Sequence, residues 1–249
     1  MDTSHPCCQI PPVVTSGYKE KGTYTEVDGL KTYVTGPSDA KYGLVLVYDI
    51  FGFFPQTLQG ADILAYADKE RQYRVFVPDF LDGKYADLSW FAPPETKEKS
   101  EKLGNLFANH GAPPKNVEKL LQITATLKNQ NSSIEKWGAL GYCWGGKVVT
   151  LSSAQNTPFN AAAQVHPAMV DPNDATNTTI PMLLLASGDE SVDDVKKFNE
   201  NLKVKCHVET FSDQLHGWMA ARADLEDARV KSEYERGYRT VSSFFHEHL

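Results

Sequence analysis

Residues 141–146 of this 249-residue chain read Gly-Tyr-Cys-Trp-Gly-Gly and carry the spacing expected around a nucleophile. Small residues two before and two after a nucleophile permit a tight strand-to-helix turn, and here Cys143 takes the position usually held by serine. Such a turn would strain the cysteine backbone, and the helix N-terminus would favour the thiolate. The Trp144 backbone N–H would point at a developing oxyanion. The alternative is a glycine-rich packing turn with a buried, inert cysteine.

A carboxylate and a histidine follow in the order nucleophile, acid, histidine. Asp189 comes directly after an apolar, strand-like stretch, and His216 lies in a loop after the next predicted strand. Both stand at carboxyl ends of predicted strands, where ligands bind in open α/β sheets. We therefore expect His216 to take the thiol proton and Asp189 to orient its imidazole.

Other residues compete for the acid and base roles. Alternatives for the acid, which more commonly form helix caps or solvated turns, are Asp193, Asp194 and Asp213. His166 follows a predicted strand and either lines the pocket or is structural. Three further histidines lie within a strand or at the end of the last predicted helix: His207, His246 and His248.

The elements that must position these residues alternate between strands and helices, which predicts a mostly parallel sheet covered on both faces. Asp28-Gly29, between two alternating runs over 23–34, predicts an N-terminal β-hairpin. Further strands are predicted over 43–48, 73–77, 137–141, 161–165, 181–186 and 205–211. Helices are predicted over 57–71, 95–108, 116–128, 145–154, 193–202 and 225–245, with a loop or lid over 81–94. The expected organisation is an extension over 1–22 and one α/β domain over 23–249.

Composition excludes several classes of protein. Hydrophobic residues make up 41% of the chain and the net charge is −7, so we expect a globular domain that binds no nucleic acid. The sequence contains neither an apolar run of about 18 residues nor a recognisable secretory signal, which predicts a cytoplasmic protein without a membrane partner. Cys7 and Cys8 form either an exposed thiol pair or a metal or redox site. We expect Cys206 to be a small core residue.

The chain resembles the dienelactone hydrolase family of α/β hydrolases, and its fungal members in particular. The resemblance covers about residues 43–220. Besides residues 141–146, it rests on four motifs. These are Tyr-Asp-Ile-Phe-Gly over 48–52, Pro-Asp over 78–79, Ser-Gly-Asp over 187–189 and His-Gly-Trp over 216–218.

The resemblance implies a single-domain α/β-hydrolase fold and places the family's triad on Cys143, Asp189 and His216. It also implies an oxyanion hole made by the backbone N–H groups of Ile50 and Trp144. In the family a glutamate near the nucleophile precedes the first of these donors, and here that position is Asp49. Asp49 either reaches the thiol and holds its proton until substrate arrives, or is a turn residue bonded to backbone N–H groups.

The residues that would bind substrate depart from the family pattern. Bacterial members hold the dienelactone carboxylate with two arginines, whereas Lys84 and Arg222 are the nearest cations at those places in this chain. Either one substitutes for an arginine or is an ordinary surface cation. Trp90 and Phe91, in the lid region, are candidate pocket walls or core residues.

The sequence therefore predicts a hydrolase that cleaves a small ester or lactone through a thioester intermediate, without metal or cofactor, as a monomer or homodimer. Two alternatives remain open. One is a thioesterase or acyltransferase that acts on acyl-thioesters with the same triad. The other is a non-catalytic binding or redox-sensing protein on the same fold.

Overall fold

The computed structural model describes residues 10–249, so the Cys7–Cys8 pair lies outside the described residues. The strands are β1 Thr23–Val27, β2 Leu30–Thr35, β3 Tyr42–Val47, β4 Tyr73–Pro78, β5 Lys136–Tyr142, β6 Ala161–Val165, β7 Met182–Ser187 and β8 Cys206–Phe211. The helices are α1 Pro55–Ala67, α2 Lys97–Asn109, α3 Pro113–Gln130, α4 Trp144–Leu151, α5 Val192–Asn201 and α6 Ala228–His248. Two short 3-10 helices span Leu88–Phe91 and Asp174–Asn177.

The eight strands form one sheet in the order β1-β2-β4-β3-β5-β6-β7-β8. The strands from β3 to β8 pair in parallel, while β2 pairs antiparallel with β1 and β4. Central strands such as β7 are buried along their whole length, as expected for parallel strands covered by helices on both faces. The predicted fold class is therefore confirmed.

The N-terminal hairpin forms at the predicted turn. Asp28 and Gly29 both have positive φ, +52° and +75°, which is the requirement of a two-residue type I′ turn. Strands β1 and β2 pair from Val27–Leu30 out to Thr23–Val34. The hairpin extends the parallel sheet because β2 continues it on the outer side of β4.

The segment before the hairpin packs against α1. Val13 is buried, and the Gln59 side chain bonds the backbone of Val14 on both its N–H and its carbonyl. Asp62 is buried on α1 and accepts hydrogen bonds from the Tyr18 and Tyr33 hydroxyl groups. One carboxylate therefore ties the N-terminal segment, the hairpin and α1 together.

The structure differs from the sequence predictions mainly at element ends. Helix α1 begins at Pro55, since proline suits the first turn of a helix, and ends at Ala67 rather than at residue 71. The prediction that Cys206 is a core residue is wrong: Cys206 is exposed, because β8 is an edge strand. In the part of the chain that the structure describes, no helix combines the length and apolarity that a membrane crossing requires.

Candidate active site

Cys143 occupies the turn between β5 and α4 in a strained backbone conformation. Its φ is +52° and its ψ is −120°, a combination that a residue with a side chain rarely adopts. The backbone is fixed on both sides: the Cys143 N–H donates to the Val165 carbonyl at 3.1 Å, and the Cys143 carbonyl accepts from Ala168 at 2.9 Å. The half-buried thiol is thus held at the carboxyl end of the sheet.

Two glycines allow the turn to close this tightly. A Cβ at Gly141 would lie 2.1 Å from the Gly145 carbonyl oxygen. A Cβ at Gly145 would lie 2.2 Å from the carbonyl oxygen of Val47, where α4 crosses the end of β3. Both positions exclude any larger residue, which explains the spacing of small residues around Cys143.

The structure brings His216 to the thiol and places a carboxylate on the far side of its ring. His216 Nδ1 lies 2.6 Å from Glu190 Oε1, and Cys143 interacts with the same imidazole. Burial alone would lower the pKa of His216, but hydrogen bonds and charge interactions with Cys143 and Glu190 outweigh burial and raise it to about 10. The ring therefore keeps its proton beside the thiol at neutral pH.

Glu190, not Asp189, holds the imidazole, which corrects the expectation from sequence. The Glu190 side chain is only 5% exposed, and it also accepts hydrogen bonds from the backbone N–H and hydroxyl of Ser187. Asp189 is exposed, and its Oδ2 accepts the backbone N–H of His216 at 2.7 Å. The turn after β7 folds the longer carboxylate inward, so Asp189 supports the loop and Glu190 supports the ring.

The backbone N–H groups of Trp144 and Ile50, which the sequence predicts to form an oxyanion hole, have no acceptor among residues 10–249. Trp144 is the first residue of α4, so its N–H has no acceptor within the helix. No residue among 10–249 accepts the N–H of Ile50, which lies just beyond β3. The Trp144 ring is buried and donates Nε1–H to the Gly111 carbonyl at 2.6 Å, which fixes the start of α4.

Asp49 joins the loop that carries Ile50 to the loop that follows His216. Its Oδ1 accepts from the Phe51 N–H at 2.9 Å, and its Oδ2 accepts from the Ala221 N–H at 3.2 Å. Burial raises the pKa of Asp49 to about 6, although the two backbone N–H groups act in the opposite direction. Of the two roles considered for Asp49, the geometry favours the residue bonded to backbone N–H groups.

Arg222 lies against the loop that carries His216. Its side chain packs over Gly217, directly after His216, and its charge acts on the buried Asp49 and His166. Within the described region, the exposed guanidinium has neither a hydrogen bond nor an ion pair with the protein. It is therefore available to an anionic group of a ligand.

The remaining predicted residues lie around the lid. Phe91 is 43% exposed and packs edge-on against Phe51, one residue beyond Ile50, with ring centroids 5.5 Å apart. Lys84 and Trp90 line a separate groove of about 390 Å³, to which Cys143 and His216 do not contribute. Phe91 is thus placed near the proposed oxyanion hole, whereas Lys84 is not brought together with the thiol.

Sequence reasoning missed Glu190 and left the role of His166 open. Asp189 and Glu190 are adjacent carboxylates after the same strand, so either fitted the expected order of acid and histidine. His166 is completely buried next to His216. Its position directly after a central strand was the available signal, because that end of the sheet collects the functional residues.

Comparison with known proteins identifies the family of this chain. Residues 30–249 match the model of the dienelactone hydrolase family. The chain is 36% identical over 234 residues to an uncharacterized AIM2 family protein of Schizosaccharomyces pombe, covering 92% of each chain. It is 30% identical over 247 residues to a human carboxymethylenebutenolidase homolog, covering 93% of each.

A solved structure shows the same fold at low sequence identity. The dienelactone hydrolase from Anabaena variabilis superposes with a TM-score of 0.65 and 15% identity, covering 93% of this chain and 98% of that one. The family match extends from the start of the hairpin's second strand to the last residue and contains the cysteine elbow, His216 and both carboxylates after β7. The chain therefore belongs to the dienelactone hydrolase family.

Proposed function

We propose that this protein hydrolyses small carboxylic esters or lactones with Cys143 as nucleophile and His216 as general acid and base. The single observation that supports this most strongly is the strained Cys143 turn, with φ +52°, facing a histidine that a buried carboxylate holds. Glu190 takes the positioning role that the sequence predicted for Asp189. A merely structural cysteine has no need of this backbone strain or of a protonated imidazole beside it.

Acylation begins when the Cys143 sulfur, present as a thiolate beside the protonated His216, attacks the carbonyl carbon of the ester. A C–S bond forms and the carbonyl π electrons move to oxygen, where the N–H groups of Ile50 and Trp144 stabilise the negative charge. As the tetrahedral intermediate collapses, the C–O bond to the leaving group breaks and His216 donates its proton to the departing oxygen. The products are an alcohol and a thioester on Cys143; in a lactone they stay joined.

Deacylation uses the same groups in reverse. His216, now neutral, takes a proton from water, and the water oxygen adds to the thioester carbonyl. The second tetrahedral intermediate expels the Cys143 thiolate and releases a carboxylic acid. The imidazolium that forms is again paired with Glu190, so each cycle restores the starting charges.

An anionic substituent on the substrate suits the free guanidinium beside the site. Arg222 offers a planar, bidentate donor set to a carboxylate, and the exposed chain leaves room for a ligand to reach it. The proposed substrate class is therefore a small ester or lactone that carries a carboxylate. Lys84 plays no part in this proposal, because it lines a different groove.

A substrate panel combined with mass spectrometry tests the proposal. Carboxylate-bearing lactones, neutral aryl esters and acyl-CoA thioesters would be compared on the wild type, Cys143→Ala and Arg222→Gln. We expect an acyl adduct on Cys143, no turnover by Cys143→Ala, and a KM raised at least about tenfold by Arg222→Gln for carboxylate-bearing substrates alone. The exposed Cys206 provides the matched control, Cys206→Ser, which should behave as wild type.

Other outcomes of the same panel contradict the proposal in distinct ways. Preferred turnover of acyl-CoA would identify a thioesterase or acyltransferase instead. Turnover that survives in Cys143→Ala would remove the nucleophile from the mechanism. No turnover of any substrate, with ligand binding intact in Cys143→Ala, would favour the non-catalytic alternative.

A further inference from the structure

A second histidine lies directly against the catalytic one and is not used by the mechanism above. His166 follows β6, and its N–H donates to the Leu185 carbonyl at 2.7 Å. Its side chain is completely buried. Its φ of +36° is unfavourable for a residue with a side chain, so the fold holds this ring in place at a cost.

The His166 ring is enclosed by two other rings. It stacks on Tyr142 of β5, with centroids 5.7 Å apart and planes at 30°. It meets His216 in an edge-to-face arrangement, with centroids 5.1 Å apart and planes at 66°. Neither ring nitrogen of His166 has a hydrogen-bond partner among the described residues. A histidine used only for core packing would be an expensive choice, since each unpaired buried nitrogen is destabilising.

Burial, together with nearby positive charges, keeps the His166 ring neutral. Burial lowers its pKa well below the usual range, and the positive charges of His216 and Arg222 lower it further. Tyr142 remains a neutral phenol, because burial raises its pKa and outweighs the opposite effect of its 2.8 Å hydrogen bond with the Tyr238 hydroxyl. A neutral aromatic ring stabilises a cation that lies over its face within about 6 Å of the ring centroid. The cation here is the His216 imidazolium.

We propose that His166 is a positioning residue for the catalytic base, whose neutral ring, backed by Tyr142, stabilises the His216 imidazolium through the edge-to-face contact. This role rests on the proposed function only for its effect on catalysis; the contact itself is independent of any substrate. Other titratable or charged groups surround His216. They include Cys143 and Glu190, which bond its ring, Asp189, which accepts its backbone N–H, the nearby carboxylate of Asp49, and Arg222, which packs over the adjacent Gly217.

In this proposal the aromatic ring of His166, and not a hydrogen bond from its nitrogens, stabilises the His216 imidazolium. Phenylalanine keeps a ring with a negative face and cannot be protonated, whereas leucine fills similar volume without a ring. His166→Phe and His166→Leu are therefore a matched pair. A histidine outside this ring cluster, His110 at the end of α2, provides a control as His110→Phe.

Direct titration of His216 by two-dimensional 15N–1H NMR tests the proposal without substrate. We expect the His216 pKa in His166→Leu to fall by roughly 0.5–1.5 units relative to wild type. In His166→Phe and His110→Phe the His216 pKa should stay within about 0.3 units of the wild-type value. This margin is well below the pKa change expected from the loss of one cation–π contact. In the wild type, His166 should stay neutral down to at least about pH 5, since burial disfavours its charged form.

Three results would overturn the assignment. If both His166 variants lower the His216 pKa equally, the nitrogens matter and the ring contact does not. If neither variant changes it, His166 is structural only. Should a variant fail to fold, the wild-type spectrum still decides, because a His166 signal that titrates near pH 6.5 excludes a permanently neutral ring. Failure of the ester panel would leave this measurement unaffected.

Discussion

Adjacent carboxylates of different length divide the support of His216 between them. Glu190 reaches the ring at 2.6 Å, and Asp189 accepts the backbone N–H of the same residue at 2.7 Å. Glu190→Gln removes the charge that pairs with the imidazolium while it keeps the shape of the side chain. We expect kcat to fall on the order of 10²–10³-fold, since the base loses its orienting charge.

The pH profile separates the two carboxylates. Glu190 raises the pKa of His216, so the alkaline limb of kcat/KM should move to lower pH in Glu190→Gln. Asp189→Asn retains an oxygen for the His216 N–H, and we expect less than about a tenfold loss with an unmoved limb. Steady-state kinetics from pH 5 to 10 on an activated aryl ester measures both effects. A larger loss in Asp189→Asn would return the positioning role to Asp189.

At this scale the sequence identified which residue types meet but not which atoms touch. Cys143, a carboxylate and His216 could be predicted to meet, because each follows a strand and the carboxyl ends of these strands lie at one edge of the sheet. The choice between Asp189 and Glu190 depends on how one turn folds, and the spacing of the residues does not specify that. Likewise, only coordinates reveal that Asp49 bonds backbone N–H groups.

The strand-turn-helix element around Cys143 depends on close backbone contact at its glycines. A Cβ at Gly145 would lie 2.2 Å from the Val47 carbonyl oxygen, and backbone at this junction has little room to move. Gly145→Ala should lower the free energy of unfolding by about 2–4 kcal/mol, as overpacking of a rigid site does. Urea unfolding followed by circular dichroism measures the change.

A glycine in an open helix is the matched control. Gly104 lies inside α2, and a Cβ there would meet no atom within 4 Å. Gly104→Ala should raise the free energy of unfolding by about 0.5–1 kcal/mol, because alanine loses less backbone entropy in a helix. Equal effects of the two substitutions would show that the Cys143 turn is not closely packed.

Element types were predictable because hydrophobic periodicity and turn residues act locally. The hairpin at Asp28-Gly29 and the buried strands needed no long-range information. The exact ends of the elements and the identity of the edge strands do depend on long-range contacts. Cys206 lies on the open edge of β8, and an alternating pattern does not reveal which strand is last in the sheet.

On the scale of the whole molecule, Asp49 connects two loops that are 172 residues apart in sequence. Its carboxylate is buried, with a pKa near 6 in the folded protein against 3.8 for a free aspartate. Folding therefore retains a proton on Asp49 between about pH 4 and 6 that the unfolded chain has released. The stabilisation from that proton is complete below pH 3.8 and is lost as the pH rises through 6.

Asp49→Asn removes this titration and makes the prediction testable. A pKa raised by about two units corresponds to about 3 kcal/mol. Between pH 4 and 7, the free energy of unfolding of the wild type should therefore fall by up to that amount relative to the variant. The variant carries its own penalty of about 1–3 kcal/mol, because one amide oxygen serves only one of the two backbone N–H groups. That penalty does not depend on pH.

The quantity to measure is the difference in unfolding free energy between wild type and Asp49→Asn, by urea titration at pH 4, 5, 6 and 7. We expect the difference to shift in favour of the variant as the pH rises, with most of the change complete near pH 6. Other carboxylates titrate in both proteins and cancel in the difference. A constant difference across the series would mean that Asp49 ionises at its ordinary pKa, and that the bonds from Phe51 and Ala221 compensate fully for its burial.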